Sequence, residues 1–345
     1  MTGDEGTGAG GADGGDGGDG DRNGDREGLT YAGSGVDIEA SEAATAALVA
    51  QVGEGAGDYA GLLDIGDRYL GLATDGVGTK LLVAAALDDY STVGIDCIAM
   101  NANDLVAAGV RPVAFVDYLA VDAPDEATAE AVGEGLATGA ERAGVELVGG
   151  ETAVMPEVIR GLDLAGTCAG LAAPEDVFEG RAAVGDALVG FPSSGIHSNG
   201  LTLAREAATR AGDYADPFPD DDSGRSVGEV LLEPTRLYVD LLDPMRAHGV
   251  RGAAHVTGGG LTNLERLGDR RYVVDDPFDP QPVFEFVRRA GEVARDEMYR
   301  TFNMGTGFVA ALPEGRARAL ADATDGRVIG RVEEGSGVVV DGLEL

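Results

Sequence analysis

The chain has 345 residues, which suggests about two domains and allows a sizeable buried core. It carries 61 acidic against 25 basic residues, for a formal net charge of −36. A charge of this sign and size repels nucleic acid and anionic membrane surfaces, so we expect neither as a partner.

The acid excess, the near-absence of lysine and the lack of tryptophan are typical of a protein that works in high salt. At 1 M salt the Debye length is about 3 Å, so charge repulsion within the protein is screened. General disorder is the alternative, but regular apolar segments after residue 29 argue against it. No apolar run of membrane-spanning length and no secretory leader is found, which predicts a cytoplasmic protein. Cys97 and Cys168 lie in apolar runs and read as free thiols.

Glycine and aspartate dominate residues 1–28, which predicts a disordered tail. An N-terminal domain is expected over residues 29–173 and a C-terminal domain over residues 174–345. The boundary is placed where the pattern restarts, at Pro174 and the turn of Gly185 and Asp186. A helix is predicted over residues 38–52, and a glycine-rich loop over residues 53–61.

The stretch at residues 71–80, GLATDGVGTK, which we call the central loop, begins at the end of an apolar strand predicted at residues 69–73. Gly76 and Gly78 let backbone N–H groups converge on an anion, and the carboxylate of Asp75 suits a divalent cation. Lys80 is the only lysine in the chain and is placed to reach a phosphate. An ordinary turn with a solvated lysine is the alternative. The stretch matches neither the P-loop nor the dinucleotide fingerprint.

Polar residues punctuate the following elements. A helix at residues 94–109 is interrupted by Asn101, Asn103 and Asp104, and a strand at residues 112–121 carries Asp117. The next helix, residues 125–144, has Asp122 as its expected cap, and a strand at residues 145–148 is expected to stop at Gly149, Gly150 and Glu151. We expect Asp75, Asp117, Glu151 and Asp104 to converge on one site, although scattered surface acids are common in so acidic a chain.

The second half repeats the alternation of strands with helices, which predicts a mixed α and β class. A strand at residues 187–191 leads into a small-residue loop, PSSGIHSNG, and a helix at residues 201–211. An acidic insertion at residues 217–225 precedes two helical stretches, one at residues 230–248 that is interrupted at Pro234 and Pro244, and one at residues 283–300. Between them, a third small-residue loop, the glycine loop HVTGGGLTN at residues 255–263, is expected to open a helix. Strands at residues 308–312, 328–332 and 338–340, with one helix between them, close the chain.

Taken together, the loops are more specific than any one of them. LTYAGSGVDI, TDGVGTKL, GIDCIAMNANDLVAAG, LVGGET, SSGIHSNG, EPTRLYVDLL, HVTGGGLTN and RTFNMGTG occur in this order. The sequence resembles the phosphoribosylformylglycinamidine cyclo-ligase (aminoimidazole ribonucleotide synthetase) family from about residue 29 to its C-terminus. The resemblance implies a two-domain fold of the α+β (mixed α/β) class. In that fold the N-terminal domains of two subunits join strands into a barrel near which ATP binds, and the C-terminal domain is an α/β sandwich.

The resemblance also implies a set of site residues. Mg²⁺ would be held by Asp75, Asp104 and Glu151, and His197, Lys80 and Asp104 would be catalytic. ATP would contact the central loop and the GGE segment, through Asp75, Gly76, Gly78, Thr79, Lys80, Asp104, Gly149, Gly150 and Glu151. The substrate side would comprise Ser193, Ser194, His197, Asn199, Gly258, Gly259 and Gly260. One departure is Ala32 after Tyr31, where family members commonly have a lysine.

The implied reaction converts formylglycinamidine ribonucleotide and ATP to aminoimidazole ribonucleotide, ADP and phosphate, in a homodimer. Three alternatives stay open: a sister kinase of the same fold, a nucleotide-binding regulator without catalysis, and a scaffold solvated by salt. Individual residues also have simpler interpretations. His197 can serve only to hydrogen-bond the backbone, Asn199 can cap the helix that follows it, and His255 is equally compatible with a phosphate contact and with none.

Overall fold

The computed structural model describes residues 28–35, 43–44, 47, 59–219 and 224–345. The predicted tail, most of the predicted helix at residues 38–52, most of the glycine-rich loop at residues 53–61 and residues 220–223 of the acidic insertion lie outside the described residues. Those predictions therefore remain predictions. No helix within the described ranges is long and apolar enough to cross a membrane.

The first sheet has five strands in the order β1-β2-β5-β3-β4. Their bounds are β1 Gly61–Asp64, β2 Tyr69–Gly76, β3 Arg111–Val121, β4 Glu146–Val154 and β5 Leu162–Ala172. The pair β3 and β4 is parallel, and the other pairs are antiparallel. The order places β2, which carries the central loop, next to β5, and leaves β4 at one edge.

Helices α2 (Val93–Ala107) and α3 (Glu126–Ala143) pack against strands of this sheet, and the short helix α1 (Leu81–Leu87) precedes them. Helix α2 is buried along almost its whole length, and α3 packs directly against it. Glycine makes this close approach possible, because a Cβ added at Gly94 would lie 2.1 Å from the backbone nitrogen of Leu136. The helices thus fix α2 between the first sheet and the second half of the chain.

The other face of the first sheet is open in the single chain. Three large apolar side chains lie on it, Leu72 of β2 and Val116 and Tyr118 of β3, and they are 44%, 40% and 43% exposed. Edge strand β4 is exposed at nearly every position. An open apolar sheet face is typical of a protein–protein contact surface.

The second sheet has seven strands in the order β12-β11-β8-β10-β6-β9-β7. Its strands are β6 Asp186–Pro192, β7 Gly252–His255, β8 Arg271–Val274, β9 Thr306–Pro313, β10 Arg327–Glu333, β11 Gly337–Val340 and β12 Leu343–Glu344. The α-helices around it are α4 Leu201–Ala211, α5 Val227–Leu231, α6 Leu242–Ala247, α7 Pro282–Ala290, α8 Arg295–Thr301 and α9 Glu314–Asp322. The predicted mixed α and β class is confirmed, whereas the exact domain boundary at residue 173 stays a prediction.

Several local predictions were wrong. Strand β4 does not stop before Gly149 but runs through Glu151 to Val154, because it pairs with β3 along that length. Helix α3 is capped by Asp125, whose side chain accepts from the Thr128 N–H, and not by Asp122. The helical stretch expected at residues 230–248 is instead α5, an extended segment, a short 3₁₀ turn and α6. Residues 283–300 likewise form two helices, and strands β7 and β8 were not predicted.

Candidate functional site

Three polar side chains from distant parts of the chain meet beside helix α2, which contacts strands of both sheets. Asp75 is the penultimate residue of β2, and its backbone oxygen accepts a 3.2 Å hydrogen bond from the Asn101 side chain of α2. One turn further along α2, Asp104 Oδ1 lies 2.8 Å from Nδ1 of His255, the last residue of β7. The imidazole is buried, and the Asp104 side chain keeps 18% exposure. The structure therefore brings the predicted residues Asp75 and Asp104 together with His255.

The protonation of Asp75 reflects this crowding. Burial, followed by the nearby Asp104 carboxylate, raises the pKa of Asp75 from 3.8 to about 6. The N–H of Gly76, which donates to Asp75 Oδ1 at 2.7 Å, and the charges of His255 and Arg266 oppose that rise. Two adjacent carboxylates that repel each other favour a bound cation between them.

The donor set fits Mg²⁺ on chemical grounds. Mg²⁺ is usually held by one or two carboxylates, with water and phosphate oxygens completing its octahedron. Asp75 and Asp104 supply two such carboxylates. Within the described ranges no three His, Cys, Asp or Glu side chains are grouped closely enough to hold a metal ion on their own.

Glu151 is not part of this group in one chain. Cross-strand pairing links Asp75 to Gly166, Gly166 to Asp117, and Asp117 to Gly150, so three strand spacings, or about 14 Å, separate β2 from β4. Successive residues of a strand face opposite sides, so Glu151 projects to the open face and Asp75 to the helix-covered face. The expected joint shell of Asp75, Asp104 and Glu151 is not assembled by a single subunit.

Gly149 and Gly150 lie within β4, beside Glu151. A Cβ at Gly150 would come within 2.3 Å of Asp117 Oδ1, so the glycine makes room for that carboxylate. Burial raises the pKa of Asp117. Asp117 lies in the middle of β3, within the strand predicted to carry it. A nucleotide contact of Gly149 and Gly150 remains a prediction.

The third glycine loop follows His255 directly. It opens a 3₁₀-helix, Gly260–Leu267, in place of the expected α-helix. Gly260 has φ +53°, and a Cβ there would lie 2.2 Å from the Tyr299 carbonyl oxygen. By contrast, a Cβ at Gly258 would meet only Asn199 Oδ1 at 3.5 Å and Tyr31 Oη at 4.0 Å. Gly259 lies between them.

Asn199 therefore faces the glycine loop. It does not cap the helix that follows: Gly200 occupies the N-cap of α4, and no side chain bonds there. The Asn199 amide instead donates a long contact, 3.6 Å, to Met100 Sδ. Tyr31 approaches the same place from residues 28–35, and Ala32 follows it. A substrate contact of Asn199 stays a prediction.

His197 occupies a strained turn. Its φ is +67°, which is uncommon for a residue with a side chain. Nε2 accepts from the N–H of Ser194 at 3.2 Å and from that of Arg236 at 3.5 Å. Burial, followed by the positive charges around it, lowers the pKa of His197 well below 6.5. Nδ1 of this neutral ring carries the proton and has no hydrogen-bond partner among the described residues.

The serines before His197 are tied to neighbouring backbone. The Ser194 hydroxyl donates to the Pro234 carbonyl at 2.6 Å, and the Ser193 N–H donates to the Gly305 carbonyl at 2.9 Å. Ser194 also lines two adjacent cavities of about 230 and 460 Å³. Thr79, in the central loop, reaches across to the hydroxyl of Thr202 at 3.1 Å. The central loop and the His197 loop are thus close neighbours.

Lys80 has no exposed surface. Its Nζ lies 2.9 and 2.8 Å from the two carboxylate oxygens of Asp96 and 2.6 Å from the Glu233 carbonyl. Nζ donates hydrogen bonds to Asp96 Oδ1 and to the Glu233 carbonyl, whereas Asp96 Oδ2 takes part in the ion pair without a hydrogen bond among the described residues. A direct phosphate contact stays a prediction, and this arrangement does not support it. Gly78, with φ +69°, and Gly76 precede Lys80 in the central loop.

Two residues of the site, Asp96 and Thr235, were not predicted from the sequence, whereas Asn101 was noted as a polar residue within its helix. Asp96 and Thr235 form a buried network with Lys80, while the Asn101 side-chain oxygen is buried without a partner among the described residues. One signal was available for Asp96: a carboxylate in an otherwise apolar first helical turn, in a chain with one lysine.

Comparison with known proteins accounts for both halves of the chain. Family models described as "AIR synthase related protein, N-terminal domain" and "AIR synthase related protein, C-terminal domain" match residues 57–172 and 183–342. A protein of Methanosarcina acetivorans named phosphoribosylformylglycinamidine cyclo-ligase is 49% identical over 327 residues, covering 91% of this chain and 98% of the relative. The chain belongs to the phosphoribosylformylglycinamidine cyclo-ligase family. A relative of the same name from Methanocaldococcus jannaschii is 42% identical, with 92% and 94% covered.

Solved structures of other proteins have a fold similar to that of this chain. A thiamine monophosphate kinase from Aquifex aeolicus superposes with a TM-score of 0.63 at 17% identity, covering 89% of this chain and 98% of that one. The hydrogenase maturation protein HypE gives a TM-score of 0.54 at 20% identity, covering 79% and 82%. At these identities the likeness concerns the fold alone. The family resemblance read from the ordered motifs is confirmed.

Proposed function

We propose that this chain cyclises formylglycinamidine ribonucleotide to aminoimidazole ribonucleotide with consumption of ATP, as a ligase of purine biosynthesis. The observation that carries the proposal is the 49% identity to a named cyclo-ligase across 98% of that relative. The geometry agrees with it, because the central loop, Asp104, His255 and the glycine loop of Gly258 meet at one junction.

The reaction needs positioning more than acid–base strength. The γ-phosphoryl group of ATP passes to the formyl amide oxygen, which makes that oxygen a leaving group. The amidine nitrogen of the same molecule then attacks the carbon, the ring closes and phosphate departs. Orienting two ends of one molecule can lower a barrier by roughly 7–11 kcal/mol. We assign that role to the loops of Gly258–Gly260 and Ser193–Asn199, which face each other where Asn199 lies beside Gly258.

Asp75 and Asp104 would hold Mg²⁺ in this proposal, and ATP phosphates would complete its coordination. When bound, the ion offsets the charge of the transferring phosphoryl group. His255 orients the Asp104 carboxylate through its 2.8 Å contact. Gly76, Gly78 and Thr79 supply backbone that can approach a phosphate closely.

His197 is assigned a neutral, donating role. Since burial keeps its pKa well below 6.5, it does not carry a charge at pH 7. Its Nε2 is occupied by backbone donors, so the Nδ1–H group, which is buried without a partner among the described residues, is the donor that we assign to a substrate oxygen. Such a donor can stabilise charge that develops on the amide oxygen.

We further propose a homodimer in which the open faces of two first sheets meet. The exposed apolar side chains of Leu72, Val116 and Tyr118 support this arrangement. It would also give Glu151, which projects to that face, a route to the nucleotide of a partner subunit. The net charge of −36 supports a requirement for high salt, which is part of the same proposal. A cytoplasmic location is also part of it.

A coupled assay for the cyclised product, run with Mg-ATP in molar KCl, tests the function. We expect turnover of formylglycinamidine ribonucleotide and none of thiamine phosphate. Phosphorylation of thiamine phosphate alone would instead assign the chain to the sister kinases. Nucleotide binding without turnover of either substrate would favour the regulatory alternative.

A further inference from the structure

Side chains along helix α2, and the residue just before it, form hydrogen bonds with one extended segment, residues 232–238. The Thr92 hydroxyl, just before the helix, donates to the Leu232 carbonyl at 3.1 Å. Asp96 Oδ1 accepts from both the N–H and the hydroxyl of Thr235, at 2.7 and 2.6 Å. Further along, the Asn103 side chain donates to the Arg236 carbonyl and accepts from the Tyr238 N–H, at 2.8 and 2.9 Å.

The same segment holds the His197 turn. The Ser194 hydroxyl donates to Pro234, and the N–H groups of Ser194 and Arg236 point at His197 Nε2. Lys80 completes the chain of contacts, because it binds Asp96 and the Glu233 carbonyl while it ends the central loop that begins at Asp75. A continuous buried path therefore joins the central loop to the His197 turn.

Lysine suits this position better than arginine does. Its compact ammonium group donates to Asp96 Oδ1 and to the Glu233 carbonyl and forms an ion pair with the Asp96 carboxylate, all within 2.9 Å. A guanidinium is planar, carries five donors and needs more room, and the site is completely buried. This gives a physical reason why a chain that uses arginine at every other basic position has lysine at residue 80.

We infer that Lys80 is a positioning residue: with Asp96 and Thr235 it forms a buried interdomain strut that sets the His197 turn relative to the central loop. The strut acts on the proposed cyclisation by aligning the substrate side with the nucleotide side. Neither the lysine nor its carboxylate touches the reacting atoms.

Matched variants distinguish this positioning role of Lys80 from direct binding of a phosphate. Thr235→Val removes only the hydroxyl from the strut and keeps residue size and charge, and Thr235→Ser restores the hydroxyl. Lys80→Met and Asp96→Asn remove the charges singly, and the double variant removes both. The readouts are kcat, the Kd of an ATP analogue, and hydrogen exchange of the peptide that covers residues 194–199.

For a strut, Thr235→Val and Lys80→Met lower kcat at least about tenfold and speed exchange at residues 194–199 by about the same factor, because a local opening replaces fixed contacts. The Kd of the ATP analogue stays within about threefold of the parent value, since nucleotide contacts are intact. Thr235→Ser recovers both readouts, and the double variant is no worse than the more damaged single one.

Two results would overturn the inference. The first is a nucleotide Kd that rises more than about thirtyfold in Lys80→Met but not in Asp96→Asn, as a direct phosphate contact predicts. The second is Thr235→Val with parental exchange at residues 194–199, and this result stands even where a charge variant fails to fold. Because exchange needs no substrate, failure of the strut is distinguishable from failure of the proposed reaction, which the parent assay reports.

Discussion

His255 Nδ1 and Asp104 Oδ1 lie 2.8 Å apart, joining the end of a strand in the second sheet to a helix that packs on the first. On the far side of the ring, Nε2 lies 3.4 Å from the Asn103 side-chain nitrogen. With Nδ1 protonated, the imidazole donates to Asp104 and accepts from Asn103. Since the ring is buried and held at both nitrogens, it fixes the direction of the Asp104 carboxylate.

The first prediction follows from that orientation. His255→Ala should weaken the affinity of the site for a divalent metal about 10–100-fold, as loss of a hydrogen-bond partner behind a metal ligand generally does. The affinity is measured by calorimetry, with Mn²⁺ as the probe that stands in for Mg²⁺. His255→Asn, whose amide nitrogen can replace Nδ1, should lose less. His248→Ala is the control, because His248 contacts only the Pro244 carbonyl among the hydrogen bonds described for it. Equal affinity in His255→Ala and the parent would contradict the assignment.

The second prediction concerns pH and Asp75. The folded protein holds the Asp75 proton more tightly than the unfolded chain, because its pKa is raised from 3.8 to about 6. Unfolding then releases a proton, so the stability of the metal-free protein should fall as pH rises between about 4 and 6. Asp75→Asn removes the buried charge and should raise stability at pH 7 by about 1–3 kcal/mol, while it abolishes ATP turnover.

Chemical denaturation at pH 5 and pH 7, without divalent metal, checks this sign. The gain from Asp75→Asn should be smaller at pH 5, where more of the parent carboxyl is protonated. Saturating Mg²⁺ should stabilise the parent and leave Asp75→Asn nearly unaffected. A variant less stable than the parent at pH 7 would mean that the carboxylate is satisfied by the protein alone.

The sequence predicted elements best where one chemical signal dominated. Helix α4 has the predicted bounds, and strands β2 and β3 fall within a few residues of theirs, because their apolar runs are partly or fully buried. Strand β4 was cut short since an exposed edge strand has no need of a continuous apolar run. Its true length comes from pairing with β3, a long-range contact that local pattern does not encode.

The candidate site shows the same limit. Motif order identified Asp75, Asp104 and the glycine loop, which the structure brings together around His255. Sequence could not reveal that Lys80 turns inward, because its partners Asp96 and Glu233 lie 16 and 153 positions away. Nor could it place Glu151 on the opposite face from Asp75, which depends on strand register.

The third prediction compares two glycines in one loop. Gly260→Ala places a methyl group against the Tyr299 carbonyl at a positive φ, so it should destabilise the fold by about 1–3 kcal/mol. Gly258→Ala meets only ordinary contacts and should keep the parental melting temperature. Its methyl group nevertheless enters the space between Asn199 and Tyr31, where we place the substrate.

Gly258→Ala should therefore raise KM for formylglycinamidine ribonucleotide about tenfold or more, with little change in the ATP analogue Kd. Thermal unfolding and steady-state kinetics on both variants make the comparison. Should Gly258→Ala bind both substrates as the parent does, the loop would have no part in substrate recognition.

The last prediction tests the open sheet face. Val116→Glu puts a charge among exposed apolar side chains, so a dimer that buries this face should lose at least about 2–4 kcal/mol of association energy. Sedimentation in molar KCl should then show a monomer, and activity should fall with it because Glu151 loses its route to a partner's nucleotide. Val184→Glu, at a residue 51% exposed outside the first sheet, is the matched control and should remain dimeric. A dimeric, active Val116→Glu protein would place the subunit contact elsewhere, and Glu151 would then have no assigned role in nucleotide binding.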